Sequence, residues 1–206
     1  KILAKRCKEL NIEFLSTGFD FRSLNFLNSL GLKRNKIPSG EITNKPYLRH
    51  IAKFKKPLIL STGMSSLQEV KEAVAILIES GLSMDDLTIL QCTSEYPTPM
   101  EEINLRVLDT LRNFFNVQVG ISDHSVGISV PIASVALGAV VIEKHLTLDK
   151  NLPGPDHKAS IEPKEFSLMV KAIREIELAM GDGKKIPSPS EIKNKNIVRK
   201  SIVASR

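Results

Sequence analysis

The chain is expected to fold as an α/β protein, a partial (β/α)8 TIM barrel with about six of the eight βα units that a closed barrel needs. Three observations predict this. Short β-branched or aliphatic runs alternate with helical patterns along most of the 206 residues, which is the signature of parallel βαβ units. The runs end in similar small polar sequences, rich in serine, threonine and glycine. Two histidines, His124 and His145, each lie just past a predicted strand and one βα unit apart.

The elements follow in order. Lys1–Leu10 reads as the tail of a preceding helix. Asn11–Ser16 is a predicted strand that ends at Ser16-Thr17-Gly18. Asp20 can cap a helix carrying Leu24, Leu27 and Leu30, closed by Gly31. Asn35–Pro38 is a short strand that ends at Ser39-Gly40-Glu41. Pro57–Leu60 ends at Ser61-Thr62-Gly63. Ser66 and Glu69 then form a capping-box pattern ahead of Val70, Ala73, Val74, Leu77 and Ile78, and Gly81 is the stop. Leu87–Gln91 ends at Cys92-Thr93-Ser94, and Asn104 can cap a helix carrying Val107, Leu108 and Leu111. Val117–Ile121 ends at Ser122-Asp123-His124, an apolar helical segment follows, and Ala139–Ile142 ends at Glu143-Lys144-His145. Glu162–Met180 is a longer amphipathic helix ended by Gly181.

This divides the chain into a partial barrel over 1–181 and a Lys-, Ser-, Pro- and Asn-rich linker over 182–206, in which Ile202-Val203-Ala204 can start another strand. Two barrel units are expected to precede the chain and a further domain to follow it. An open six-stranded α/β sheet fits the same count. No GxGxxG or Walker sequence supports a nucleotide-binding version of such a sheet.

Composition narrows the class. With 42% hydrophobic residues the chain can bury a substantial core, and no run approaches the ~18 apolar residues of a membrane span. No secretory signal is visible, although the chain opens on Lys1. Cys7 and Cys92 are far apart, as expected of reduced cytoplasmic thiols, and Cys92 reads as a small buried hydrophobe. The net charge of +6 suits anionic small molecules. The Lys and Arg residues are spread over helix faces with little aromatic interleaving, so nucleic acid is not the expected partner.

In a barrel of this class the C-terminal ends of the strands form the active-site rim. Two imidazoles there could share one divalent metal ion. The same spacing also fits two loop histidines that each bond their own loop. Serine and threonine hydroxyls with open backbone amides at several strand ends favour a phosphate or carboxylate ligand, although any one Ser-Thr-Gly is also ordinary turn chemistry.

Six motifs then occur in order: Lys36-Ile37-Pro38-Ser39-Gly40-Glu41, Leu60-Ser61-Thr62-Gly63-Met64, Cys92-Thr93-Ser94-Glu95-Tyr96-Pro97-Thr98-Pro99, Ser122-Asp123-His124-Ser125, Ile142-Glu143-Lys144-His145 and Gly154-Pro155-Asp156-His157. Together they resemble the sialic acid synthase family, over essentially the whole chain. The resemblance implies a (β/α)8 barrel joined by a linker to a small antifreeze-like (SAF) domain, in a domain-swapped homodimer with a divalent metal, manganese or magnesium. It implies condensation of phosphoenolpyruvate with an N-acylated mannosamine to give a sialic or legionaminic acid and phosphate.

By the same resemblance His124 and His145 are metal ligands, Glu41 handles the proton of the attacking water, and Lys36 contacts phosphoenolpyruvate. Thr17, Ser39, Ser61 and Ser122 match positions that bond its phosphate or carboxylate, and Tyr96 and Asp156 match positions facing the sugar. Read from the residues alone, Glu41 could instead pair with a nearby lysine, Lys36 could be a solvated strand-edge charge, and Asp156 could be a turn former after Gly154-Pro155. The chain departs from the family at Gly18, where proline is usual, and at Gln91, where many members have histidine. The family's N-terminal glutamate and lysine and its SAF-domain arginine have no counterpart here, so the stretch alone is expected to be inactive. Another metal-dependent barrel aldolase or keto-sugar-acid synthase, or a non-catalytic binding module, remains as an alternative at this point.

Overall fold

The computed structural model describes residues 1–200 and 202; most of the strand start expected at Ile202-Val203-Ala204 lies outside the described residues. Five strands, β1 (Asn35–Ile37), β2 (Leu58–Ser61), β3 (Leu87–Cys92), β4 (Gln118–Asp123) and β5 (Val141–Lys144), form one sheet in chain order. Every neighbouring pair is parallel. Helices α3 (Lys45–Ala52), α4 (Leu67–Glu79), α5 (Val107–Phe115) and α6 (Ser129–Ala136) make the crossovers, and α7 (Pro163–Met180) follows β5. Helices α1 (Ile2–Glu9) and α2 (Phe21–Ser29) precede the sheet, and α8 (Pro189–Val198) ends the described part.

The strand period of two sorts the side chains. Ile37, Leu58, Leu60, Leu87, Ile89 and Val119 join the helix-side core with Leu48, Ile51, Leu77 and Leu108. The intervening positions, among them Lys36, Ser61, Cys92, Ser122 and Glu143, turn to the opposite face. In-register pairing keeps such positions level: Cys92 lies beside Ser122, and Ser122 beside Glu143. Gly120 is needed on this face, because a Cβ there would come within 2.3 Å of the Val141 carbonyl oxygen and 2.7 Å of Leu90 Cδ2.

One contact shows that the sheet curls. Lys36 on edge strand β1 pairs with Glu143 on edge strand β5, Nζ to Oε1 at 3.2 Å. Strands lie ~4.8 Å apart, so in a flat sheet the two edges would be roughly 19 Å apart, beyond the reach of both side chains. The opposite face is therefore the concave interior of a half-barrel.

The predicted strands at Asn35–Pro38, Pro57–Leu60, Leu87–Gln91, Val117–Ile121 and Ala139–Ile142 are present, with ends moved by up to two residues. The expected strand at Asn11–Ser16 is not formed. The segment lies close to β1, since Glu13 pairs with Arg34 at 2.7 Å, but it has only a three-residue edge to pair with and makes no ladder. Asp20 caps α2 by accepting from the Ser23 amide, and Ser66 and Glu69 complete their capping box. Asn104 does not cap α5 with its side chain. It takes a left-handed φ of 50°, and its carbonyl accepts from the Val107 amide one turn before the helix settles. The linker expected over 182–206 is not all irregular, because Ser188 and Glu191 form a capping box that starts α8. No helix among the described residues is long and apolar enough to cross a membrane.

Candidate active site

The polar residues of the concave face meet at the C-terminal ends of the strands. Alternation continues past the last ladder residue, so His124 follows Ser122 and His145 follows Glu143 onto the interior side. The residues between them, Asp123 and Lys144, point the other way and form an ion pair at 2.6 Å with both side chains 1% exposed. Asp123 also accepts from the Ser125 amide at 2.9 Å, and Lys144 donates to the Ser125 carbonyl oxygen. This cross-tie fixes the end of β4 against the end of β5, and with it the two histidine backbones.

The histidine rings lie with centroids 5.3 Å apart and nearly perpendicular. His124 Nδ1 is 2.7 Å from the Thr93 carbonyl oxygen. A carbonyl can only accept, so Nδ1 carries the proton and Nε2 keeps its lone pair, with the Ser122 hydroxyl 3.4 Å away. Burial holds the His124 imidazole below its ordinary pKa, and the neighbouring His145 adds to this against the Thr93 bond. A neutral ring oriented by a backbone carbonyl is the usual arrangement of a metal-ligating histidine. With metal–nitrogen bonds of ~2.1 Å, rings at this separation can reach one ion. Among the described residues no group of three or more His, Cys, Asp or Glu could hold a metal. The donor set therefore fits an ion that takes two imidazoles and fills its other positions with oxygen from water or substrate, and it does not fit a closed structural zinc site.

Tyr96 covers this pair, with its ring 4.0 Å from His124 and 5.3 Å from His145. Its loop is held in place because the Thr98 amide donates to the His124 carbonyl oxygen at 3.0 Å and the Thr98 hydroxyl to the Glu95 carbonyl oxygen at 2.8 Å. Asp156 reaches His145, Oδ2 to Nδ1 at 3.9 Å. Its loop is pinned by His157, whose Nδ1 lies 2.7 Å from the Thr147 hydroxyl, and by the Ile161 amide, which donates to the His145 carbonyl oxygen at 2.9 Å.

The second half of the site gathers a lysine, a carboxylate and several hydroxyls. Lys36 Nζ stands 3.2 Å from Glu143 Oε1, and the Ser122 hydroxyl donates to the same oxygen at 2.6 Å. Ser61, at the end of β2, is 2% exposed, and its Oγ has no hydrogen-bond partner among the described residues. Such a buried hydroxyl is costly unless something bonds it. Ser39 lies against Gly63, where an added Cβ would come within 2.5 Å of Ser39 Oγ and 2.7 Å of Ser94 Oγ. Gly63, at a φ of +47°, thus lets two hydroxyls approach the backbone after β2. Cys92 is buried at the same level, and burial raises its thiol pKa.

Two predicted site residues stand apart from these contacts. Glu41 follows β1 on the same rim but accepts from the Asn44 side chain at 2.7 Å. Thr17 is half-buried on the segment before α2, where the Tyr47 hydroxyl donates to the Gly18 carbonyl oxygen at 2.6 Å. Gln91 donates to the Ile103 carbonyl oxygen at 3.0 Å on the helix side. Sequence reasoning missed Glu143 and the Asp123–Lys144 pair. Both were inside quoted motifs, but their roles depend on the register of β4 with β5 and on the curl that brings β1 to β5. A cleft of about 840 Å³ runs between β5 and α7, lined by Val141, Phe166, Met169 and Ile173, and it reaches the site only at Glu143 and Lys144. Its apolar walls lie along the sheet edge beyond β5, and it holds none of the rim hydroxyls.

Comparison with known proteins gives one consistent answer. The model of the NeuB family matches residues 1–185. The N,N'-diacetyllegionaminic acid synthase of Campylobacter jejuni is 55% identical over all of this chain, which covers 62% of that protein. The protein of the same name from Legionella pneumophila is 51% identical over all of this chain and 58% of its own length. The chain thus spans about 60% of the length of these relatives. Among solved structures, the N-acetylneuraminic acid synthetase of Leptospira borgpetersenii, crystallised with citrate, superposes with a TM-score of 0.86 at 36% identity, covering 97% of this chain and 70% of that one.

Proposed function

The chain belongs to the NeuB family, and from that premise we propose that the full-length protein joins phosphoenolpyruvate to an N-acylated mannosamine, giving a nonulosonic acid and phosphate. The observation that carries this reading is the pairing of two subsites on one rim: the His124–His145 pair under Tyr96, and Lys36 and Ser122 meeting at Glu143 beside it, with the buried Ser61 hydroxyl at the end of β2. Similarity to the two legionaminic acid synthases favours a 2,4-diacetamido-6-deoxy sugar over N-acetylmannosamine itself.

In this reading Lys36, Ser61, Ser122 and Ser39 bind the phosphate and carboxylate of phosphoenolpyruvate, with Thr17 at the margin of the group. Tyr96 and Asp156 hold the open-chain sugar with its aldehyde toward C3 of phosphoenolpyruvate. The bond from C3 to the aldehyde carbon forms, and the aldehyde oxygen takes a proton. Water adds to C2 and gives its proton to a carboxylate, for which Glu41 is the candidate. The C2–O bond to phosphate then breaks as the new C2 hydroxyl gives up its proton and becomes the keto group, and phosphate leaves carrying that proton. His124 and His145 would hold a divalent ion, manganese or magnesium, which when bound polarises the aldehyde oxygen as a Lewis acid. The domain-swapped dimer with a SAF domain belongs to the same proposal.

Phosphate release from phosphoenolpyruvate should require the sugar and proceed faster with the diacetamido sugar than with N-acetylmannosamine. Lys36→Ala tests the anion half. Charge-assisted contacts contribute ~1.5–3 kcal/mol, and ~1.4 kcal/mol is a factor of ten. The Michaelis constant for phosphoenolpyruvate should therefore rise at least about tenfold, with a smaller change for the sugar. Unchanged constants for both would make Lys36 a bystander.

A further inference from the structure

The anion subsite contains a conflict of donors. Ser122 has one hydroxyl proton, and it is donated to Glu143 Oε1 at 2.6 Å. Lys36 pairs with that same oxygen at 3.2 Å. One carboxylate oxygen thus occupies two of the groups that would receive phosphoenolpyruvate. An incoming anion must take the Ser122 proton from Glu143 and share Lys36 with it, since the ammonium has two further protons, and its charge repels the carboxylate rather than offsetting it.

We propose that Glu143 limits the affinity of this site: its carboxylate stands in the anion position of the free protein and is displaced when an anion binds. The proposal rests on the reading of Lys36 and Ser122 as phosphoenolpyruvate contacts. The three groups differ in freedom to move. Ser122 is 3% exposed, the Lys36 side chain 13% and the Glu143 side chain 37%. The β4–β5 ladder holds the backbones of Ser122 and Glu143 level, so displacement needs only a rotation of the Glu143 side chain toward solvent. Lys36 and Ser122 then keep their places and exchange one carboxylate for another anion. The phosphate released in the reaction competes for the same position, so Glu143 also weakens retention of that product.

The test is calorimetric binding of phosphoenolpyruvate, and separately of inorganic phosphate, to the full-length protein with a chelator present. Wild type is compared with Glu143→Ala, Glu143→Gln, Lys36→Ala and the Ser122→Ala/Glu143→Ala double variant. Removing the competing charge should tighten binding of both anions at least about tenfold in Glu143→Ala and about threefold in Glu143→Gln. The gain should be smaller in the double variant, because the released Ser122 proton is part of it. Glu143→Gln preserves the shape of the side chain and decides the matter if the alanine variant does not fold. Unchanged or weaker binding in the Glu143 variants, with binding lost in Lys36→Ala, overturns the proposal and makes Glu143 a support for Lys36. Equal binding in wild type and Lys36→Ala overturns the anion-site reading and the proposal with it.

Discussion

His124→Ala and His145→Ala should each lower turnover of the full-length protein by about a thousandfold or more and remove its manganese binding while leaving it folded. The size follows from the chemistry. Lewis-acid polarisation of a carbonyl contributes several kcal/mol, and each ~1.4 kcal/mol is a factor of ten in rate. The two rings lie 5.3 Å apart at the ends of adjacent strands, and because His124 Nδ1 donates to the Thr93 carbonyl oxygen, its Nε2 keeps a lone pair, with Ser122 Oγ 3.4 Å away. Neither ring is part of the hydrophobic core. The structural cost is then one buried hydrogen bond for His124, on the order of 1 kcal/mol, and less for His145, whose side chain is 32% exposed and lies 3.9 Å from Asp156. Electron paramagnetic resonance of added manganese, with circular dichroism as the folding control, reads the two effects separately. Wild-type turnover and manganese affinity in either variant would remove the metal from the account.

Lys144→Ala should be the most destabilising single change near the site. Lys144 and Asp123 are both 1% exposed and 2.6 Å apart. Removing one partner leaves a buried charge uncompensated, at a cost of ~3–5 kcal/mol. For a domain of this size that lowers the thermal midpoint by roughly 10 °C. The double replacement Asp123→Leu/Lys144→Met should recover most of the loss, since it leaves no unpaired charge. The pair ties the end of β4 to the end of β5, so the double variant should regain stability without regaining full activity. A Lys144→Ala protein that melts with the wild type would show that the pair holds nothing together.

Much of this molecule was legible in its sequence. The five parallel strands, the Ser66–Glu69 capping box and the position of both histidines follow from period-two alternation, local hydrogen-bond chemistry and the placement of polar residues after each strand. These are properties of a few consecutive residues. What stayed hidden depends on distant partners. Asn11–Ser16 has the composition of a strand, but a ladder needs a neighbour, and β1 offers three residues. Asn104 looks like a cap, yet its backbone takes the left-handed conformation and its carbonyl does the bonding. The helix in the basic tail carried a readable signal in Ser188 and Glu191. Glu143 carried none for its role: only the curl of the sheet, which brings the two edge strands together, shows that it faces Lys36.

Carbon–carbon bond formation with cleavage of the phosphoenolpyruvate C2–O bond is read out by mass spectrometry of the reaction run in heavy-oxygen water. The full-length protein, with manganese, phosphoenolpyruvate and the 2,4-diacetamido-6-deoxymannose, should yield a nine-carbon keto acid that carries the label, together with unlabelled phosphate. Labelled phosphate would contradict the attack of water on carbon, and the absence of any nine-carbon acid with this sugar and with N-acetylmannosamine would contradict the condensation itself.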